Sequence, residues 1–85
     1  MNKTEFVKAV AKNSGISSRQ AYRAVSCVMD TLRVLLSEGE EIEIGGLGTF
    51  EVLTDLRGNH TPVFNSGKAL KRVLNTPVDT AEQEG

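Results

Sequence analysis

The stretch Ile42-Glu43-Ile44-Gly45-Gly46-Leu47-Gly48-Thr49-Phe50, followed from Pro62 by PVFNSGKALKRVL, decides how the chain folds. Residues 41–44 alternate strictly between Glu and Ile, the pattern of a half-buried strand with both isoleucines inward and Glu41 and Glu43 outward. Gly45, Gly46 and Gly48 permit a tight reversal, since glycine reaches positive φ without a Cβ clash. Residues 49–54 then return as a second strand with Phe50 and Val52 on the core side. Turn chemistry fills residues 55–60, and residues 61–64 form a third, short strand that Pro62 places at an edge or end. Ser66 is positioned to cap a last helix over residues 67–74, with Leu70, Val73 and Leu74 apolar.

Upstream, Asn2 with Glu5 three residues on forms a capping-box pattern, and Phe6, Ala9 and Val10 follow at helical spacing until Ser14-Gly15 supplies a C-cap. Ser17 with Gln20 opens a second helix, which Glu38-Gly39 ends. Its Ala21, Val25, Val28, Leu32 and Leu35 recur in steps of four and three. The same helix is also apolar at Tyr22, Ala24, Cys27, Met29, Val34 and Leu36, which is wider than one amphipathic face, so more than one of its surfaces needs covering. The expected class is α+β: two N-terminal helices, a three-stranded antiparallel sheet with a short hairpin, and a C-terminal helix. It spans residues 1–75 and is followed by an acidic tail, residues 76–85, expected to be disordered.

At 85 residues the chain is one domain, near the lower size at which a single core supports a fold unaided, and a partner subunit would help. No apolar run approaches the roughly 20 residues that span a bilayer, and the N-terminus lacks a secretory h-region, so a cytoplasmic protein is expected. The single Cys27 cannot form an intrachain disulfide and reads as a small core hydrophobe; with only His60 beside it there is no metal-ligand set. Gly45-Gly46-Leu47-Gly48 is not a phosphate loop, because a strand rather than a helix N-terminus follows. No nucleophile and base pair up, so neither an enzyme nor a cofactor is expected. A helix-turn-helix is conceivable from the short 13–16 connection with Arg19 and Arg23 a turn apart, but the second helix is too apolar to lie free in a groove.

The net charge of −1 conceals a segregation. Residues 1–36 carry six bases (Lys3, Lys8, Lys12, Arg19, Arg23, Arg33) against Glu5 and Asp30. Residues 37–56 carry six acids (Glu38, Glu40, Glu41, Glu43, Glu51, Asp55) and no base. Residues 57–74 carry Arg57, Lys68, Lys71 and Arg72 and no acid, and Asp79, Glu82 and Glu84 follow.

Two helices, an I-x-I strand, Gly46-Leu47-Gly48-Thr49-Phe50, Pro62-Val63-Phe64 and Gly67-Lys68-Ala69-Leu70-Lys71 together resemble the bacterial histone-like HU and integration host factor family, over residues 1–75. The resemblance implies an intertwined dimer with a helical base and a saddle of strands. It also implies two long basic ribbon arms that enter the minor groove, each with a proline wedge at its tip. Here the interval between the two Phe-bearing motifs is residues 51–63, much shorter than the family's, so the arm is expected to be essentially absent. Arg57-Gly58-Asn59 resembles a vestige of the arm tip, with no proline inside it, and Leu53 stands where the family commonly has arginine. Glu41, Glu43 and Glu51 are expected on the surface where relatives seat the duplex, where carboxylates repel phosphate.

Candidate duplex contacts are therefore Lys3, Arg57, Asn59, Lys68, Lys71 and Arg72, and the candidate dimer core is Val28, Leu32, Leu35, Leu47, Phe50 and Phe64. The expected function is an architectural, nucleoid-type protein that binds duplex DNA weakly and without sequence preference, as a homodimer or as a heterodimer with an HU-like subunit. The competing expectation is an armless protein-interaction module that pairs with an armed relative or offers its acidic saddle to a basic protein. Neither a membrane nor a small-molecule partner is expected.

Overall fold

The computed structural model describes residues 1–76, in the order α1 (Lys3–Ser14), α2 (Ser18–Ser37), β1 (Ile42–Ile44), β2 (Gly48–Thr54), β3 (His60–Ser66), α3 (Lys68–Asn75). The tail expected over residues 76–85 lies, beyond Thr76, outside the described residues. Two compact units emerge among the described residues, Met1–Val34 and a second that begins at Leu35.

The first unit is a helical pair whose ends are set by local chemistry. Asn2 Oδ1 accepts from the Glu5 amide at 2.9 Å while Glu5 Oε1 accepts from the Asn2 amide at 3.0 Å, a complete capping box. Gly15, left-handed at φ 71°, closes α1 by donating to the Ala11 carbonyl. Ser17 and Gln20 repeat the reciprocal arrangement at the start of α2, both bonds at 3.1 Å. Val7 and Ala11 of α1 meet Ala21 and Val25 of α2 to form the buried core, with Val10 and Met29 packed partly against it. α1 has 12 residues and α2 has 20, lengths of about 18 and 30 Å at 1.5 Å per residue, so α1 can cover only the first part of the longer helix. Beyond Val25 the apolar stripe emerges, with Val28 57% exposed. Cys27 corrects the expectation of a core residue: it is exposed on the chain alone.

The second unit is an antiparallel sheet in the order β1-β2-β3, with α3 following. Ile42 stands opposite Phe50 and Phe50 opposite Phe64, the two rings 4.8 Å apart and tilted by 46°. Glu43 and Glu51 fall on the other face, as alternation requires, and Asn65 Nδ2 donates to Glu51 Oε2 at 2.6 Å. Glu41 lies just outside β1, which is one residue shorter than expected.

The reversal after β1 uses a bond from the Leu47 amide to the Ile44 carbonyl at 3.0 Å, with Gly46 at φ 86° in its third position, as a type II turn demands. Gly48 serves a different purpose from the one expected. It is the buried first residue of β2, and a Cβ there would lie 2.3 Å from the Asn65 carbonyl oxygen and 2.8 Å from the Phe64 ring.

β3 is longer than the expected residues 61–64, because its ladder with β2 continues from Thr54 opposite His60 to Gly48 opposite Ser66. Ser66 is thereby a strand residue and not the cap of α3; the N-cap is Gly67, which offers no side chain, and the helix begins at Lys68. Bonds from the Gly67 amide to the Leu47 carbonyl and from the Asp55 amide to the Asn59 carbonyl fix the phase of the ladder. Counting inward by alternation, Val52 and Pro62 form a non-hydrogen-bonded pair, so the Pro62 nitrogen points away from β2 and the ladder keeps all its bonds.

Four pairs, from Glu51 with Val63 to Thr54 with His60, extend past the end of β1, about 13 Å at 3.3 Å per residue. Beyond the end of β1 the sheet thus continues as a short two-stranded stub. Asp55 organises its tip: one carboxylate oxygen accepts from the Arg57 amide at 2.8 Å and the Asn59 amide at 2.9 Å, and the other from Asn59 Nδ2 at 3.2 Å. The Asn59 backbone donor foremost, opposed by desolvation and helped by the other donors of the turn, holds the Asp55 carboxyl below its ordinary 3.8.

Gly48→Ala should destabilise the chain by about 1–3 kcal/mol, the usual cost of an enforced strained backbone or contact, read as a lower urea midpoint at fixed protein concentration. Because the folded-state value of Asp55 is depressed, its contribution is present above the ordinary carboxylate range and is lost as pH falls through the folded value. The Asp55 carbon resonances should accordingly titrate below 3.8. Asp55→Ala should accelerate amide exchange at Arg57 and Asn59 at neutral pH.

Candidate nucleic-acid interface

The cations expected to meet phosphate are distributed over both units, each with its own local support. In the first unit Lys3 opens α1, and its ammonium stands 4.8 Å from the Tyr22 ring centroid, a cation–π arrangement that fixes where the charge is held. Sequence reasoning singles out Lys3 but misses Tyr22, since nothing in a spacing of nineteen residues announces that contact. Lys8 and Arg19 also line one groove with Thr4, Val7, Ser18 and Tyr22, and neither stands among the candidate duplex contacts.

In the second unit, Lys68, Lys71 and Arg72 lie at i, i+3 and i+4 on α3, one side of an eight-residue helix. Its other side is uncovered: Val73 is 71% and Leu74 70% exposed, and no residue of α3 is buried. The first turn carries no acid and no side-chain cap, so the positive end of the helix dipole adds to the three cations. Arg57 stands at the stub tip, held by the backbone bond to Asp55. Asn59, expected as a duplex contact, has its side-chain amide engaged with Asp55 within the turn.

The sheet face bearing Glu43 and Glu51 is anionic, though Glu51 is partly occupied by Asn65. The candidate dimer residues share one property: Val28, Leu47 and Phe64 are exposed, at 57, 38 and 41%, and Leu32, Leu35 and Phe50 are only half-buried. Among the described residues no group of acids, histidines and cysteine could hold a metal ion, and no helix is long and apolar enough to cross a membrane.

Comparison with known proteins places this arrangement. The family model described as bacterial DNA-binding protein matches residues 1–57. The chain is 35% identical over 86 aligned positions to DNA-binding protein HU of Geobacillus stearothermophilus, covering 84% of this chain and 96% of the relative. It is likewise 35% identical, with 84 and 94% coverage, to the SPbeta prophage-derived DNA-binding protein HU 2 of Bacillus subtilis. Since 84% of 85 residues is about 71, an alignment of 86 positions leaves about 15 with no counterpart in this chain. Among solved structures, a point variant of HU from Thermotoga maritima superposes with a TM-score of 0.77 at 36% identity, covering 87% of this chain and 99% of that one. The fold also matches an Anabaena HU–DNA cocrystal structure, with a TM-score of 0.76 at 24% identity and coverage of 91 and 100%. With the family model matching both helices, β1 and β2, and with HU relatives 35% identical over 84% of the chain, the chain belongs to the HU family of bacterial DNA-binding proteins.

Proposed function

We propose that this chain is an architectural DNA-binding protein that works as a dimer, associated with the bacterial nucleoid in the cytoplasm, and holds duplex weakly and without sequence preference. The observation that carries the reading is the match to HU proteins along nearly their whole length, at 35% identity and 96% coverage of the relative. Dimerisation has a physical support of its own. Among the described residues only Val7, Ala11, Ala21 and Val25 form the buried apolar core, while Val28, Phe64, Val73 and Leu74 remain exposed. Burying such a side chain fully from water is worth about 1.5–3 kcal/mol, and completing a half-made burial a fraction of that, so a second subunit on Val28, Leu32, Leu35, Leu47, Phe50 and Phe64 would supply what the chain lacks.

Phosphate contacts then fall to Lys3, Arg57, Lys68, Lys71 and Arg72, with Asn59 acting through the shape of the tip turn. The stub reaches too short a distance past β1 to follow a groove, and the missing positions in the alignment with HU agree with a shortened arm. Bending should be correspondingly smaller than by a long-armed relative. Glu43 and Glu51 oppose a duplex seated on their face, which favours contact through the cationic flanks. The one observation favouring a second reading is that acidic face: paired with a long-armed HU subunit, this chain would weaken the grip of the mixed dimer.

In a gel-shift series Lys68→Gln/Lys71→Gln should weaken binding at low salt and flatten the salt dependence by about 0.9 in log–log slope for each phosphate no longer neutralised. Absence of binding at low salt, or indifference to this double change, would reject the reading. Leu32→Asp should convert the sedimenting dimer to monomer and lower the melting temperature. The unsubstituted protein's melting temperature should rise with protein concentration, as dimeric folding requires.

A further inference from the structure

The groove between α1 and the first part of α2 lies wholly within the first unit, has a volume of about 300 Å³ and is lined by Thr4, Val7, Lys8, Ser18, Arg19 and Tyr22. Its floor is apolar: Val7 is 5% exposed, and Tyr22, at 54%, leaves about half of its surface open. Three cations surround that floor, Lys8 and Arg19 in the lining and Lys3 over the Tyr22 ring. The acids of the same unit are used elsewhere, Glu5 in the capping box and Asp30 in its ion pair with Arg33. The first turn of α2 carries no acid either, so the positive end of that helix adds to the field, and the Thr4 and Ser18 hydroxyls add donors.

Two kinds of polyanion answer such charge, and the apolar floor discriminates between them. A duplex meets a protein surface with a row of phosphates, which gain from cations but have nothing to bury against Val7 and the Tyr22 ring. An acidic peptide offers both parts: an aliphatic side chain that leaves water on the floor, and flanking carboxylates that fix its orientation on the cations.

We infer that the α1–α2 groove is a docking site for an acidic segment of a partner protein, with one aliphatic side chain on the Val7–Tyr22 floor and carboxylates on either side of it meeting Lys3, Lys8 and Arg19. Each ion pair is exposed and individually weak, so docking depends on the anchor and the three cations acting together, and on ionic strength.

Tyr22 is the sole tyrosine and the chain has no tryptophan, so intrinsic emission reports directly on the groove. The probe is the synthetic peptide acetyl-Asp-Glu-Leu-Glu-Asp-amide, titrated into the full chain at low salt without nucleic acid. It should protect Tyr22 from acrylamide quenching and shift the amide resonances of Thr4, Lys8, Ser18 and Arg19. Replacing its leucine by serine should weaken it about tenfold, the effect of keeping one apolar side chain in water. Lys8→Gln and Arg19→Gln should each weaken it about two- to fivefold, the range of one exposed ion pair. Lys12→Gln, which removes a charge from α1 outside the groove lining, should leave it unchanged. Equal binding of the leucine and serine peptides would overturn the inference and leave the surface a plain anion site, open to a duplex. Shifts confined to α3, or no shifts at all at low salt, would overturn it as well. Because no DNA is present, none of these results depends on whether the protein binds duplex.

Discussion

The structure turns on a mismatch of length. A 12-residue α1 packs on a 20-residue α2, and the apolar stripe of α2 continues past the point where α1 can cover it. Ala21 is fully buried and Val25 nearly so, whereas Val28, on the same stripe, stands 57% exposed. Among the described residues that surface stays open, and its burial is what a partner subunit would supply. Everything proposed for assembly follows from this deficit, and the half-exposed aromatic pair of the sheet adds to it.

The sheet places the charges. The alternation that turns Ile42 and Phe50 to one face turns Glu43 and Glu51 to the other, and Asp55 at the far end commits its carboxylate to the turn. Positive charge is carried instead by the one-sided α3 in the same unit and, in the first unit, by the helical pair. Four pairs extend beyond β1, so the ribbon that leaves the sheet is short.

Much of the fold is legible in the sequence because it rests on local chemistry. Both N-terminal boxes, the Gly15 cap and the alternation around Ile42 involve neighbours three or four residues apart, or a period of two. What the sequence hides is set by distant partners. Ser66 has the composition of a cap, yet its pairing with Gly48 draws it into β3. Gly48 reads as turn punctuation, but Asn65 and Phe64 crowd the space its side chain would need. Among the candidate contacts, Lys68, Lys71 and Arg72 can be grouped by helical spacing alone. Asn59 reads as a free polar group only until the turn brings its amide to Asp55, and the Lys3–Tyr22 contact lies beyond any periodicity.

The outward-pointing nitrogen of Pro62 has a bearing on solubility. β3 is one of the two edges of its sheet, where unpaired backbone groups would invite a strand from another molecule. At the middle of that edge the chain presents a ring in place of a donor, so an incoming strand meets a gap in its hydrogen bonding and a steric block together. That edge is thereby made a poorer template for strand addition, without any loss to the ladder on its inner side.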